Sequence, residues 1–314
     1  MTVRPDAPTD ERRTGFERAA GQREEEGILD RLREDASSRV LVLHGDAAQI
    51  ENADAAAPRL VYRRPDEVPA GAQWAFLGRD EAGPLLAAVF DRDQPSPSVS
   101  QPAGGEWSPL RAVGGLLDAA ESEAFTTAVS LGRWLVDASY CPACGSPTSV
   151  RAAGWSRTCD SCGREHFPRT DPAVIVAVES ASDPDLLLLG SNVLWDADRF
   201  SCFAGFVEAG ESVEAAIERE LAEEAGVRVR DVRYRGSQAW PYPRSLMLGF
   251  LVRAVDDAEV RADGTEIAAV RWFTRSEIGE ALQQGRDGHP SDVRLPGTAS
   301  IAHRLIAEWY AEGL

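Results

Sequence analysis

A chain of 314 residues, 43% of them hydrophobic, is long enough for two domains, or for two domains and a small module. No apolar run approaches the roughly 20 residues of a membrane helix, and the charged amino terminus lacks a signal-peptide pattern, so we expect a cytoplasmic protein without a membrane partner. The net charge of −18 disfavours a long nucleic-acid backbone as partner. All 33 basic residues are arginine, which excludes a P-loop lysine and a Schiff-base lysine.

The first part of the chain predicts a flexible or loosely helical leader at 1–26 and an α+β domain of unknown task at 27–138. Strand-like patterns separated by turn-forming residues fill most of the stretch 39–90. A loop rich in Pro, Ser and Gly is predicted at 91–107, followed by a helix at about 119–138 whose apolar residues share one face. The sequence shows no internal repeat of fixed period.

Four of the five cysteines form two C-x2-C pairs, fourteen residues apart, in a predicted module at 139–168. This spacing favours a closed tetrahedral Zn²⁺ site, which contributes folding free energy and not chemistry. Redox-active thiols are the alternative, and His166 is a possible substitute ligand. The fifth cysteine, Cys202, lies in an apolar strand with no histidine near it in sequence, so we expect a small core residue. The paired cysteines are Cys141, Cys144, Cys159 and Cys162.

The remainder, 169–314, predicts an α/β/α layered domain in which helices interleave with a mixed sheet. Strands are expected near 173–180, 185–191, 232–240, 245–255 and 268–274, and helices near 212–225, 276–284 and 299–313.

The first of these helices carries three glutamates in one sector. Glu220, Glu223 and Glu224 fall within roughly 100° of one another, beside the stripe that faces the core. Like charges at this spacing repel, by a few tenths of a kcal/mol per pair. A cluster of hard oxygen ligands suits Mg²⁺ or Mn²⁺. For this fragment alone, a solvated acidic helix face is the alternative.

The glutamates belong to a longer motif bracketed by glycines. Gly205 and Gly210 are expected to let the backbone turn sharply, and Gly226 to end the helix with a positive φ. From Gly205 to Val227 the sequence matches G-x5-E-x7-R-E-U-x-E-E-x-G-U, with U aliphatic, at every defined position. This is the Nudix box, and the chain resembles the Nudix hydrolases over about 171–314.

The resemblance implies that the box forms a loop, a helix and a loop, and that its glutamates hold metal ions that activate water for attack on phosphorus. It implies Glu220 and Glu224 as principal ligands with Glu223 assisting, so that all three are expected catalytic residues. Glu211 is expected to orient the loop and the helix.

Downstream of the box, the segment 237–245 reads SQAWPYPRS. Two prolines beside aromatic residues predict a stiff loop whose rings stack on a nucleobase or nicotinamide, with hydrogen bonds from Gln238 and Ser245. A packed loop without a ligand is the alternative. A zinc ribbon before a Nudix domain, together with this loop, resembles the NADH pyrophosphatase branch of the family. Three residues depart from that branch: Ala239 replaces a proline, Tyr242 a phenylalanine, and Phe167 a tyrosine in the segment HFPRTDP.

That branch implies hydrolysis of NAD(H) to nicotinamide mononucleotide and AMP, removal of NAD caps from RNA 5′ ends, and a homodimer with composite sites. It also implies Glu266 and the Ala204 carbonyl as further metal ligands. Expected substrate contacts are Arg111, Phe167, Phe206, Gln238, Ala239, Trp240, Pro241, Tyr242, Pro243, Arg244, Ser245 and Ala302. The alternatives are another Nudix substrate, such as ADP-ribose, a diadenosine polyphosphate or a damaged nucleotide, and a nucleotide-sensing regulator. The intact REUxEE core disfavours the regulator.

Overall fold

The computed structural model describes five stretches of the chain, and these fall into two compact units that meet in sequence at residues 169 and 170. No helix in these stretches is long and apolar enough to cross a membrane. The first fifteen residues of the expected leader lie outside the described residues. The described stretches are 16–52, 57–100, 105–257, 260–287 and 293–313.

A sheet of seven strands and three helices builds most of the first unit. The order β3-β2-β1-β6-β5 forms its main path, while β4 pairs with β1 and β7 pairs with β2. Only β1 and β6 run parallel to each other. The strands are β1 (Arg39–His44), β2 (Ala47–Glu51), β3 (Arg59–Leu60), β4 (Tyr62–Arg63), β5 (Gln73–Asp80), β6 (Gly83–Phe90) and β7 (Glu106–Pro109). The helices are α1 (Ile28–Glu34), α2 (Leu110–Val113) and α3 (Ala119–Asp137).

The described part of the expected leader is attached to this sheet. Glu17 and Arg79 exchange two backbone hydrogen bonds of 2.7 Å, and a single 3-10 turn follows at Ala20–Gln22. Gly78 makes the approach possible, because a Cβ at this position would lie 2.1 Å from the Glu17 carbonyl oxygen. Residues 16–26 therefore differ from the flexible or loosely helical segment that the sequence predicts.

The cysteine module follows α3 and belongs to the same unit. It forms a three-stranded antiparallel sheet of β8 (Thr148–Arg151), β9 (Ser156–Cys159) and β10 (Glu165–His166). The Trp155 indole nitrogen donates a hydrogen bond of 2.7 Å to the Phe76 carbonyl of β5, which ties the module to the larger sheet.

The second unit is an α/β/α sandwich, as predicted. Its sheet has the order β14-β15-β11-β12-β16, with β13 paired to β11. Side chains of β11 alternate between its faces: Val174 and Val176 pack in the core beneath α4, and Ile175 packs in the core beneath α5 and α6. The strands are β11 (Asp171–Glu179), β12 (Leu186–Asn192), β13 (Phe203–Phe206), β14 (Val229–Trp240), β15 (Ser245–Ala254) and β16 (Ile267–Thr274). The helices are α4 (Val213–Ala225), α5 (Arg275–Asp287) and α6 (Ile301–Glu312).

The two units repeat one topology, although no fixed period appears in the sequence. In each, the first strand pairs in parallel with the last strand of a later hairpin, β1 with β6 and β11 with β15. The remaining pairings correspond as well: β2 to β12, β4 to β13, β5 to β14 and β7 to β16. The units differ where α4 stands, because the first unit has only a 3-10 turn, Pro65–Glu67, between β4 and β5. The repeat of topology is compatible with a sequence that shows no fixed period, since a helix present in one copy and absent from the other removes any constant spacing.

Candidate active site and zinc centre

Two caps fix the ends of the carboxylate helix α4. The Ser212 side chain accepts a hydrogen bond of 3.2 Å from the Ala215 amide, and Gly226 ends the helix with a φ of 68°. The end at Gly226 was expected from the sequence. With Ile217 and Leu221 fully buried against the sheet, the glutamates emerge at the edge of the buried face.

A single guanidinium organises the glutamates. Arg219 donates to Glu211 at 2.8 and 2.9 Å, to Glu220 at 2.8 Å and to Glu223 at 3.2 Å. It also donates to the Phe206 carbonyl at 2.9 Å, which links α4 to β13. These hydrogen bonds lower the pKa of Glu211 to about 2, so this carboxylate holds Arg219 in place over a wide pH range. Glu211 thus ties the helix to the loop before it, as expected.

Gly205 has a different role from the one predicted. It lies in β13 and is not among the glycines with a positive φ, so no sharp turn requires it. A Cβ at this position would lie 1.9 Å from the carboxyl carbon of Glu220. The glycine is needed because the Glu220 carboxylate packs directly on the strand. Gly210, with a φ of 88°, does occupy a turn that favours glycine.

Glu224 is the buried member of the carboxylate group, and its side chain lies beside those of the other expected ligands. The residue is 6% exposed, and its Oε2 has no hydrogen-bond partner in the part of the chain that the structure describes. Burial raises its pKa to about 8, with further contributions from the charges of Glu220, Glu266 and Asp263, and a backbone hydrogen bond at Ala204 opposes the rise. An unpaired buried carboxylate among others fits a divalent cation, because a cation would satisfy its charge.

The three carboxylates expected as ligands are neighbours, but they do not close on one another. Within the described ranges, only the four cysteines form a group of three or more Cys, His, Asp or Glu ligand atoms that all lie within 4.8 Å of one another. Glu223 points away from the buried face, with 62% of its side chain exposed. Glu220 and Glu266 thus lie close enough to Glu224 to raise its pKa, whereas Glu223 lies on the solvent side.

Asp263 is a residue of this region that the sequence analysis did not identify. Its carboxylate accepts hydrogen bonds from the backbone amides of Glu266, at 3.1 Å, and Ile267, at 2.8 Å. These bonds shape the turn that presents Glu266 ahead of β16. The pair Asp263-Gly264, typical of a turn, is the sequence signal that would have revealed it.

The SQAWPYPRS segment forms the ends of β14 and β15 and the turn between them. Trp240 pairs with Ser245 across the hairpin, and the rings of Trp240 and Tyr242 lie edge to face with centroids 5.2 Å apart. Arg244 donates to Asp171 at 2.8 Å, and the Tyr242–Pro243 peptide is cis. Both rings are partly exposed, so they remain open to a stacking partner. Within this segment Pro241 and Ser245 are buried, whereas Ala239, Pro243 and Arg244 are exposed.

Gln238 and Ala302 have structural contacts of their own. The Gln238 amide donates to the Ala299 carbonyl and accepts from the Ile301 amide, each at 2.7 Å, so it holds the start of α6 against β14. A hydrogen bond from this amide to a substrate would have to replace one of these. Ala302 is 4% exposed and packs in the core beneath α6, so its methyl group does not face solvent.

The other expected substrate contacts lie on exposed surface. Phe206, on β13, is about half exposed, and its carbonyl is the one held by Arg219. Phe167 and Arg111 belong to the first unit, where Phe167 follows β10 and Arg111 lies on α2, and both are exposed.

The paired cysteines come together as predicted. All four sulfur atoms lie within 4.8 Å of one another, with Cys141 and Cys162 at 3.8 Å and Cys144 and Cys159 at 3.4 Å. A tetrahedral zinc with Zn–S bonds of about 2.3 Å places its sulfurs about 3.8 Å apart, so the cluster fits Zn²⁺. His166, the considered substitute, is not part of the cluster.

Cys202 is a core residue, as expected. It packs beneath α6, and burial raises the pKa of its thiol to about 12, so it stays protonated at neutral pH.

Comparison with known families covers nearly the whole chain. Three family models match it: an NADH pyrophosphatase-like rudimentary NUDIX domain at 37–134, an NADH pyrophosphatase zinc ribbon domain at 137–167, and a NUDIX domain at 169–292. The NAD-capped RNA hydrolase NudC of Mycobacterium tuberculosis is 41% identical over 285 residues, which cover 89% of this chain and 85% of that protein. The human NAD-capped RNA hydrolase NUDT12 is 37% identical over 204 residues, 62% of this chain and 43% of that protein.

The α/β/α unit with its complete carboxylate helix defines the class, a Nudix hydrolase. Within that class the chain belongs to the family that joins a rudimentary Nudix domain, a zinc ribbon and a catalytic Nudix domain, to which the NADH pyrophosphatase models and the NudC match assign it.

Proposed function

We propose that this enzyme hydrolyses the pyrophosphate bond of NAD(H), releasing nicotinamide mononucleotide and AMP, and also removes NAD caps from RNA 5′ ends. The observation that carries the proposal is the buried, unpaired carboxylate of Glu224 beside Glu220 and Glu266, in the same unit as the partly exposed Trp240 and Tyr242 rings. The carboxylates supply a site for hydrolysis, and the rings supply a surface for a base. The names of the NudC and NUDT12 relatives support the substrate.

In this proposal Glu220, Glu224, Glu266 and the Ala204 carbonyl hold Mg²⁺ or Mn²⁺. When bound, the metal polarises a phosphate oxygen and lowers the pKa of the attacking water. Arg219 fixes the Glu220 carboxylate on the bare backbone of Gly205. The water oxygen bonds to one phosphorus, the bridging P–O bond breaks, and the departing phosphate keeps the electron pair.

In this proposal Glu223 assists the water. It is the exposed carboxylate of the three, and Arg219 holds it at 3.2 Å on the solvent side of the site. A carboxylate there accepts the proton that the water loses, and bulk solvent can then remove it.

Charge neutralisation at Glu220 and Glu224 tests the metal site. We expect Glu220→Gln and Glu224→Gln to lower kcat on NADH and on NAD-capped RNA at least about a hundredfold with either Mg²⁺ or Mn²⁺, because an amide is a poor ligand for a hard cation. Chromatography of the products measures turnover. Glu218→Gln, an exposed position on the same helix, is the matched control. Near-normal turnover in Glu220→Gln or in Glu224→Gln would contradict the assignment of the metal site.

A panel of substrates tests the choice of NAD. Trp240→Ala should raise KM for NADH roughly tenfold, since base stacking on an aromatic ring contributes a few kcal/mol at most. ADP-ribose and diadenosine polyphosphates, assayed beside NADH, test the other Nudix substrates. A higher kcat/KM for one of these would replace NAD(H) as the proposed substrate.

We further propose a cytoplasmic homodimer, which the resemblance to the NADH pyrophosphatase branch supports. Light scattering on the eluted protein measures the mass in solution, and a monomer that turns over at the full rate would contradict the composite site.

A further inference from the structure

The first unit contains a cavity of about 350 Å³ between the start of α3 and the sheet. Strands β1 to β6 and helix α3 contribute its walls. Part of the lining is apolar, including Phe16, Leu60, Leu85 and Ala124. The polar part consists of Arg39, Glu51, Arg59, Tyr62, Asp80, Asp118 and Glu121.

Glu121 is an unsatisfied buried group in this cavity. Its side chain is 8% exposed, and its Oε2 has no hydrogen-bond partner among the residues that the structure describes. Arg59 forms a loose ion pair with this carboxylate: its Nε lies 3.9 Å from Glu121 Oε1, and its side chain is largely in solvent. Burial and then the charge of Asp118 raise the pKa of Glu121, while a backbone hydrogen bond at Leu60 and the charges of Arg59 and Arg39 oppose the rise. A buried carboxylate oxygen without a hydrogen-bond partner is costly to the fold.

The other charges of the cavity do not satisfy Glu121 Oε2. Arg39 donates to both carboxylate oxygens of Asp80 at 2.5 Å and lies over the Tyr62 ring, with 4.9 Å from its guanidinium carbon to the ring centroid. Four carboxylates therefore line the cavity with two guanidiniums, and each guanidinium already pairs with one carboxylate, Arg39 with Asp80 and Arg59 with Glu121. This imbalance repels phosphate groups and attracts a positive ligand.

The cavity lies at the corner of the fold that corresponds to the SQAWPYPRS turn in the second unit. Asp80 ends β5 as Trp240 ends β14, and Asp118 caps α3 as Ser300 caps α6. Helix α3 packs on β1, β5 and β6, and α6 packs on the corresponding β11, β14 and β15. Under the proposed function this corner recognises the substrate in the second unit. The first unit thus keeps the corner but lacks a counterpart of the carboxylate helix α4.

We propose that the first unit binds a small organic ammonium compound in this cavity, with the ammonium group paired to Glu121 and the alkyl part against Leu60, Leu85 and Ala124. The ammonium donates the hydrogen bond that Glu121 Oε2 lacks, and its charge offsets the excess of carboxylates. The apolar walls accept a short carbon chain, and the negative lining excludes nucleotides. Binding is separate from hydrolysis in the second unit and does not depend on the proposed substrate.

Isothermal titration calorimetry of the full chain with putrescine tests this site. We expect saturable binding to the unaltered protein, and affinity lower by roughly tenfold or more in Glu121→Gln, which keeps the shape of the side chain and loses its charge. Glu123→Gln is the matched control, because Glu123 is on the same helix and does not line the cavity. Its affinity should equal that of the unaltered protein.

Two further measurements complete this test. Glu51→Gln, at the exposed edge of the cavity, should weaken putrescine severalfold and serves if Glu121→Gln fails to fold. AMP and adenine are titrated beside putrescine, in buffer without Mg²⁺ or Mn²⁺ so that the second unit does not bind phosphate through a metal. No saturable binding of putrescine, equal binding in Glu121→Gln and Glu51→Gln, or tighter binding of AMP lost in those variants would each overturn the proposal.

Discussion

Gly205 and Glu220 lie so close together that the Glu220 carboxylate keeps its place only because residue 205 has no side chain. The distance of 1.9 Å from an added Cβ to the Glu220 carboxyl carbon is far below any van der Waals contact. The strand cannot move away, because β13 is paired along its length with β11. The position of Glu220, an expected metal ligand, is thus set by the backbone of β13 as much as by α4, the helix that carries it.

Gly205→Ala should therefore displace the Glu220 carboxylate and lower kcat about a hundredfold, the effect of misplacing a catalytic group by about 1 Å. The melting temperature should change little, since the carboxylate can swing toward solvent. Gly21→Ala is the control, because its added Cβ meets nothing within 4 Å. Full activity in Gly205→Ala would show that Glu220 need not occupy its present place.

Glu211 should make the stability of the second unit depend on pH. Its hydrogen bonds with Arg219 lower its pKa from 4.5 to about 2, so its stabilising effect is full above pH 4.5 and is lost as the pH falls toward 2. Glu211→Gln should lower the urea midpoint at pH 7, and the difference from the unaltered protein should shrink by pH 3. With Glu218→Gln as control, a difference that stays constant between these pH values would contradict this role.

Among the elements, β14 is joined to the start of α6 by the Gln238 side chain. Gln238 satisfies a carbonyl and an amide at the start of α6, two groups that a helix terminus leaves without partners of its own. The same strand ends at Trp240, so the aromatic turn and the last helix are held at a fixed distance by an amide that the sequence analysis assigned to substrate binding.

Gln238→Ala should cost about 1–3 kcal/mol in the free energy of unfolding and raise KM, because both hydrogen bonds are lost. Gln238→Glu keeps an acceptor for Ile301 and loses the donor to Ala299, so it should fall between. Urea denaturation and steady-state kinetics measure the two effects. Unchanged stability together with a raised KM would instead indicate that the Gln238 amide contacts the substrate directly.

Elements with strong periodicity were predictable, and those fixed by distant partners were not. The sequence predicted helices at about 119–138 and 212–225, close to the observed Ala119–Asp137 and Val213–Ala225. Strands β2 and β7 were missed, because five residues or fewer carry little pattern and pairing with remote strands decides their structure. The same limit applies to the sites: the motif located the glutamates, while Asp263 and the Glu121 cavity arise only from tertiary contacts.

At the scale of the whole molecule, the metal expected to support the fold and the metal expected to support chemistry belong to different units. The cysteine cluster lies in the first unit, and the carboxylate helix lies in the second. The cluster joins short strands whose sheet has little core of its own, so zinc contributes to folding there.

Zinc removal should therefore act on the first unit. A zinc-selective chelator, or Cys159→Ser, should lower the melting temperature of the first unit and abolish the one zinc per chain that we expect from metal analysis. Cys202→Ala, the fifth cysteine, should keep its zinc. Calorimetry follows the transitions, and an unchanged melting profile after complete loss of zinc would show that the ribbon folds without metal.

The shared topology of the two units also bears on how the chain evolved. Two copies of one arrangement in a single polypeptide point to duplication of an ancestral segment, after which only one copy kept the helix between its third and fourth corresponding strands. Selection on phosphate cleavage then acted on the second copy, while the first was released to diverge. Among natural variants, the segment from Arg64 to Ala72 should therefore tolerate insertions and replacements that its counterpart, from Val207 to Arg228, does not.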